Sequence, residues 1–246
     1  MTEISKIAAV ELYSGIGGLH CGATKFNQNN QCSTKIQITH SFDINQNCNK
    51  VYSTNFPETK TTARPLDIIK PHEFEKLNAD LILMSPPCQP YTRQGNKKDH
   101  EDERAQSFIH LLETVWPEMK KKPKMMILEN VSGFETSVTH EKLVSFLKQY
   151  NYVYYEFMIS PLNIGIPYQR LRYFLVAIHE PENAVPDVDD FPILKNCQIS
   201  KNEKIREECP LGVKIRLKKE SFKTVFFIYF YTFQMFKNAP FIKNFI

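Results

Sequence analysis

Between Ala8 and Ile178, short apolar runs of strand length alternate with longer stretches of helical spacing. That rhythm constrains the fold more tightly than any single motif, because repeated βαβ units build a mostly parallel sheet with helices on its faces. Ala8–Tyr13 reads as a buried strand, followed by a glycine-rich turn and a helix to about Lys25. Ile36–Phe42 reads as a second strand ending at Asp43, with Gln46–Asn55 as its helix. Beyond the turn at Pro65–Asp67, Leu81–Ser85 is a third strand, cut off by Pro86 and Pro87. Glu101–Met119 has helical spacing in Phe108, Leu111, Leu112 and Val115. Met125–Leu128 is a strand, His140–Tyr150 a helix and Tyr173–Ile178 a late buried strand. The expected fold class is α/β, a doubly wound Rossmann-like sheet.

The rhythm stops near Pro181. Pro181, Pro186, Asp187, Asp189, Asp190 and Pro192 form a linker-like stretch, and from Lys214 the composition narrows to Lys, Phe, Ile, Tyr, Asn and Thr. With 246 residues, 42% hydrophobic and 24% charged, the chain is of ordinary globular composition and long enough for one α/β domain. The apolar run Thr224–Phe236 is shorter than the roughly 20 residues a membrane-spanning helix needs, so no membrane partner is expected. A net charge of +4, from 31 basic and 27 acidic residues, confines any nucleic-acid surface to a local patch. Met1–Lys6 is polar and does not read as a signal peptide. The six cysteines (Cys21, Cys32, Cys48, Cys88, Cys197 and Cys209) contain no CxxC pair and match no zinc spacing. No metal is expected, and the thiols are read as reduced, which leaves one of them free to act as a nucleophile.

Four segments carry chemistry. Leu12–Gly18, LYSGIGG, follows a strand and opens a helix, where glycines permit a tight turn and close approach of a ligand. Such a turn is equally compatible with a plain strand-to-helix connection. Asp43 closes the next strand about 25 residues later, near the usual interval for a ribose-binding carboxylate. Asp67 suits either an adenine amino group or a helix N-cap. In SPPCQPYT, two prolines fix the backbone after a buried strand and place Cys88 just beyond its carboxyl end, where open α/β sheets bind ligands. Glu129, directly after Met125–Leu128, faces the same cleft, where burial would raise its pKa and let it act as a proton donor; taken alone, it reads more readily as a helix cap or a solvated loop residue. Arg170 and Arg172, spaced by one residue at a strand start, share a side and suit anionic or carbonyl oxygens, though either one alone reads equally as a solvated surface residue.

The segments ELYSGIGG, SPPCQPYT, ENVSGFE and QRLRYFLVA stand in this order along the chain. Together they resemble the first cofactor motif, catalytic loop, glutamate motif and arginine motif of the cytosine-C5 DNA methyltransferase family. The wording SPPCQPYTRQG, LENVSGFE and GIPYQRLRYFL is most similar to the branch that methylates tRNA. Members of that branch act on a cytosine in the anticodon loop of aspartate tRNA and only weakly on DNA. The resemblance implies S-adenosyl-L-methionine as cofactor, with Tyr13, Gly15, Ile16, Gly17 and Gly18 on its methionine part. It implies that Asp43 takes the ribose hydroxyls, that Asp67 meets the adenine edge, and that Ile44, Leu66 and Ser85 complete the cofactor contacts. Cys88 would attack C6 of the base, Glu129 would act at N3, Arg172 would hold O2, and Arg170 would order the loop or a phosphate.

The family continues into a target-recognition region, a late GNS-type motif and a final helix. This chain has neither a GNS pattern nor the Cys-Phe-Thr tripeptide of the tRNA branch. The expectation is a C-terminally truncated member: a catalytic domain over 1–180, a linker and remnant of the target-recognition region over 181–213, and an atypical tail over 214–246. Its expected activity is methylation of cytosine in tRNA, in cytoplasm and nucleus, by a chain taken as a monomer. A DNA methyltransferase, or a truncated form that binds cofactor or RNA without turnover, are the alternatives.

Overall fold

The computed structural model describes residues 5–28, 34–87, 102–164 and 167–179. Cys88, the linker-like stretch and the tail lie outside the described residues, as do Cys32, Cys197 and Cys209. Among the described residues the strands are β1 (Ser5–Leu12), β2 (Thr34–Phe42), β3 (Lys60–Thr62), β4 (Leu81–Met84), β5 (Met125–Val131), β6 (Tyr152–Ile159) and β7 (Arg172–His179). The helices are α1 (Gly18–Asn27), α2 (Gln46–Asn55), α3 (Pro71–Glu75), α4 (Glu103–His110), α5 (Trp116–Glu118) and α6 (Val138–Gln149).

The strands form one sheet in the order β3-β2-β1-β4-β5-β7-β6. All pairings are parallel except those of β7, which runs antiparallel to both β5 and β6. The strand order reverses at β1, whose neighbours are β2 on one side and β4 on the other. Doubly wound sheets open a ligand crevice at such a reversal, outside the carboxyl ends of the strands. Here those ends lead into the glycine turn after β1 and into Ser85-Pro86-Pro87 after β4.

Alternation along the strands builds two cores. Val10, Leu12, Ile82, Met84, Met126 and Leu128 face a cluster with Phe108, Leu112, Trp116, Phe134 and Leu143. Ala9, Leu81, Leu83 and Ile127 face the other side, with Leu19, Ala23 and Phe26 of α1. The same parity places Glu11, Glu129 and Arg172 on the α1 side of the sheet.

The predicted α2 has the observed bounds, because Asn45 caps it: its side chain accepts from the amides of Asn47 (2.9 Å) and Cys48 (3.2 Å). The predicted Glu101–Met119 helix is instead interrupted by a π-turn at Leu111–Val115 between α4 and α5. Pro117 explains it, since proline offers no N–H and its ring collides with the carbonyl four residues earlier. Helical spacing did not give β3, α3 or β6. The first two are short, and β6 is an edge strand whose burial shows no clean alternation.

Candidate active site

The turn after β1 is conformationally unusual at three residues. Tyr13, Gly15 and Gly17 have φ of 54°, 51° and 94°, the left-handed region that disfavours side chains. A larger residue at Gly17 would force the Phe56 ring aside, because a Cβ would lie 2.4 Å from Phe56 Cε2. Gly15 has no such neighbour: a Cβ there would meet nothing within 4 Å. The turn is therefore packed behind Gly17 and open in front of Gly15, as a cradle for a ligand would be. Tyr13 is held by a 3.1 Å hydrogen bond between its hydroxyl and that of Ser107.

Asp43, just past β2, ties this turn to its own loop. Oδ2 accepts from the Gly15 amide at 2.8 Å and Oδ1 from the Asn45 amide at 2.8 Å. Each oxygen keeps a further lone pair that a ribose hydroxyl could use. Ile16 and Ile44 are 49% and 73% exposed, which is unusual for isoleucine and places two apolar side chains at the mouth of the crevice. Leu66 is buried in the core, so only its backbone is available to a ligand. Asp67 is exposed in the short 3-10 turn Leu66–Ile68 and makes no cap bond there. The described geometry thus brings Tyr13, Gly15, Ile16, Gly17, Gly18, Asp43 and Ile44 into one region.

The second group lies at the ends of β4 and β5. Glu129 is half-buried, with Arg172 Nε 3.2 Å from its Oε1. Desolvation raises its pKa above the ordinary carboxylate value, opposed by the positive charges of Arg172 and Arg170 and by a hydrogen bond with Ser85. Desolvation prevails even against two guanidinium groups. Both arginines bear on the same carboxylate, although β7 begins at Arg172 and Arg170 precedes it. Ser85 therefore sits between the two groups, and its amide donates to Leu12 O at 3.3 Å.

Sequence reasoning missed Asn130. It is 1% exposed and its Nδ2 donates to Pro86 O at 3.4 Å, while its Oδ1 accepts from the Val131 amide at 2.8 Å. A buried amide beside Glu129 thus holds the backbone two residues before Cys88. The available signal was a polar side chain ending a run of buried strand residues. Cys48 and Cys21, the two thiols among the described residues, are poor nucleophiles, because burial and the neighbouring carboxylates Asp43 and Glu11 raise their pKa values.

Residues 7–224 match the C-5 cytosine-specific DNA methylase family. The chain belongs to that family. The match continues past Ile178, through the linker-like stretch and into the tail. Among related C5 methylases, the tRNA (cytosine(38)-C(5))-methyltransferase of Bos taurus is 43% identical over 176 residues, covering 72% of this chain and 43% of the relative. The DNA (cytosine-5)-methyltransferase of Dictyostelium discoideum is 39% identical over 177 residues, covering 71% of this chain and 45% of the relative. The solved Entamoeba histolytica methyltransferase EhMeth superposes with a TM-score of 0.63 at 35% identity, covering 74% of this chain and 56% of that one. The chain therefore spans less than half the length of the two curated relatives.

Proposed function

We propose that this chain carries the catalytic core of an S-adenosylmethionine-dependent cytosine-C5 methyltransferase whose substrate is tRNA. The observation that carries the reading is the Glu129–Arg172 pair at the end of β5, beside the strand end that leads into Cys88. The glycine turn fits the cofactor: open space before Gly15, a carboxylate at Asp43 and exposed Ile16 and Ile44 at its mouth. When bound, S-adenosylmethionine supplies an electrophilic methyl group. Asp43 would hold its ribose and the turn amides its methionine part.

Cytosine C5 is a weak nucleophile. Attack of the Cys88 thiolate on C6 breaks the C5–C6 double bond and moves electron density to C5. Glu129, kept protonated to higher pH by burial, donates to N3 as negative charge gathers there. Arg172 offers its guanidinium to O2, and Arg170 orders the loop or a phosphate. Loss of the C5 proton and elimination across C5–C6 then release the thiolate. The target base must leave its stack to reach these groups, at a cost of a few kcal/mol.

Support for tRNA comes from the motif wording and from the name of the Bos taurus relative, while the Dictyostelium relative is named for DNA; the anticodon loop of aspartate tRNA is the proposed target. Supply of labelled S-adenosylmethionine with an aspartate tRNA transcript, the same transcript carrying uridine for its anticodon-loop cytosines, and duplex DNA tests it. Label is expected in the first transcript and absent from the second. Label in DNA in preference to tRNA would overturn the substrate assignment.

A further inference from the structure

Glu11 is the one carboxylate inside the central strand β1, 1% exposed, flanked by Val10 and Leu12. Its place is explained by α1. Gly17, the N-cap of α1, has no side chain to satisfy the first helical amides. The Glu11 carboxyl instead lies near the amides of Leu19 and His20, which lower its pKa against the effect of burial. Tyr52 of α2 donates to Glu11 Oε2 at 2.7 Å, and the same hydroxyl lies 2.8 Å from His20 Nδ1. His20 stacks on Phe56 at 3.7 Å, the ring that also closes the space behind Gly17. One strand, two helices and the cofactor turn therefore meet at a single carboxyl group.

We propose that Glu11 is a positioning residue for the cofactor turn: it sits under the start of α1 and, through Tyr52, carries a hydrogen-bonded chain to His20 whose direction reverses when Glu11 loses its proton. The inference rests on the reading that this turn binds S-adenosylmethionine. With Glu11 protonated, its O–H donates to the Tyr52 oxygen and the Tyr52 hydroxyl donates to an unprotonated Nδ1 of His20. With Glu11 ionised, Nδ1–H donates to Tyr52 and Tyr52 donates to the carboxylate. His20 stays neutral in both states, because burial lowers its pKa to about 4, and only its tautomer changes.

Burial pushes the Glu11 pKa up to about 8, against the hydrogen bonds of Tyr52, His20 and Leu19 and with the help of the Asp43 charge. The other titratable groups around it are Cys21 on α1 and Tyr52 on α2; Ser41 of β2 and Leu83 of β4 flank it in the sheet. Ionisation strengthens the hydrogen bond from Tyr52 and puts negative charge under the turn that is read as the site of a cationic ligand. Affinity for S-adenosylmethionine therefore rises with pH through about 8.

Calorimetric titration of the 246-residue chain with S-adenosylmethionine from pH 6.5 to 9, alongside Glu11→Gln and Tyr52→Phe, reads this directly. The Gln side chain copies the protonated carboxyl, so its profile should show only the ligand's own amine titration, and the difference from wild type isolates Glu11. At pH 9 the wild type should bind about tenfold more tightly than Glu11→Gln, as for loss of a charged hydrogen bond. Nitrogen NMR should show the His20 ring switching tautomer over the same pH range in the wild type, and fixed in Glu11→Gln. Tyr52→Phe cuts the chain and should abolish the switch while leaving a fold that circular dichroism recognises. A wild-type pH profile in Glu11→Gln, or an invariant His20 tautomer in the wild type, overturns the proposal. A wild type that binds no cofactor at all overturns the reading of the turn itself, and this inference with it.

Discussion

Arg172, the first residue of β7, reaches across the strand pair to place its Nε 3.2 Å from Glu129 Oε1 on β5. The guanidinium stabilises the ionised carboxylate, yet desolvation still leaves Glu129 with a raised pKa. The acid is thus poised between two opposed effects. Folding raises its pKa, so the stability linked to this group is present at low pH and is lost as pH rises through the folded value. Turnover by the protonated form falls over that same range. Methyl-transfer rates against pH should show an alkaline limb in the wild type that Glu129→Gln lacks, with a loss of at least about 100-fold at its optimum. Arg172→Ala should extend protonation to higher pH, and the two substitutions should be strongly non-additive. Additive losses in the double variant would show that the pair does not act as a unit.

The two glycines of the turn should respond differently to alanine. Both would hold alanine at positive φ, at about 1–2 kcal/mol. Only Gly17→Ala also drives a methyl group into Phe56, so it should unfold at clearly lower temperature and lose at least about 3 kcal/mol. Gly15→Ala has room for its methyl group, and the damage should fall on cofactor affinity instead. Thermal melts paired with calorimetric binding separate the cases; equal melting temperatures would contradict the packing described behind Gly17.

Asn130→Ala removes the donor that holds Pro86 O and leaves that carbonyl without its buried partner, costing about 1–3 kcal/mol. The strand end leading to Cys88 should lose its register against β5. Single-turnover methyl transfer should slow by tenfold or more, whereas cofactor affinity, set at the glycine turn, should hold. A matching fall in both quantities would mean that Asn130 supports the fold in general and not the loop before Cys88.

RNA carrying 5-fluorocytosine at the target position gives a direct view of the nucleophile. Fluorine cannot leave as the C5 proton does, so the base should remain bonded to Cys88 and migrate with the protein on a denaturing gel. Cys88→Ser should erase the shifted band. A band that persists would point to Cys21 or Cys48, against the raised thiol pKa values that the structure gives them.

The residues that the sequence made legible are those whose chemistry is local. Glycines directly after an apolar run, Asp43 at a strand end and two arginines one residue apart each announce themselves within a few positions. The supporting contacts do not, because they join elements distant in the chain. Glu11 meets Tyr52 and Asn130 meets Pro86 only through the sheet. Glu11 did leave a trace, a lone carboxylate in the apolar run Ala8–Leu12, which in a buried strand requires a partner. The strand β6 left less, since an edge strand packed on one side lacks the regular pattern of a central one.

The antiparallel insertion of β7 between β5 and β6 also sets the order in which the chain can become whole on a ribosome. Strands β1 to β5 pair in parallel using only residues already made, and they carry the glycine turn and Glu129. The arginine that balances Glu129 arrives with the first residue of β7, the last strand among the described residues, after β6 has been synthesised. Until then Glu129 sits at an open sheet edge without its counter-charge. Glu129 and the arginine that balances it therefore come from strands separated in the chain by α6 and β6, and the pair exists only once β7 lies between β5 and β6.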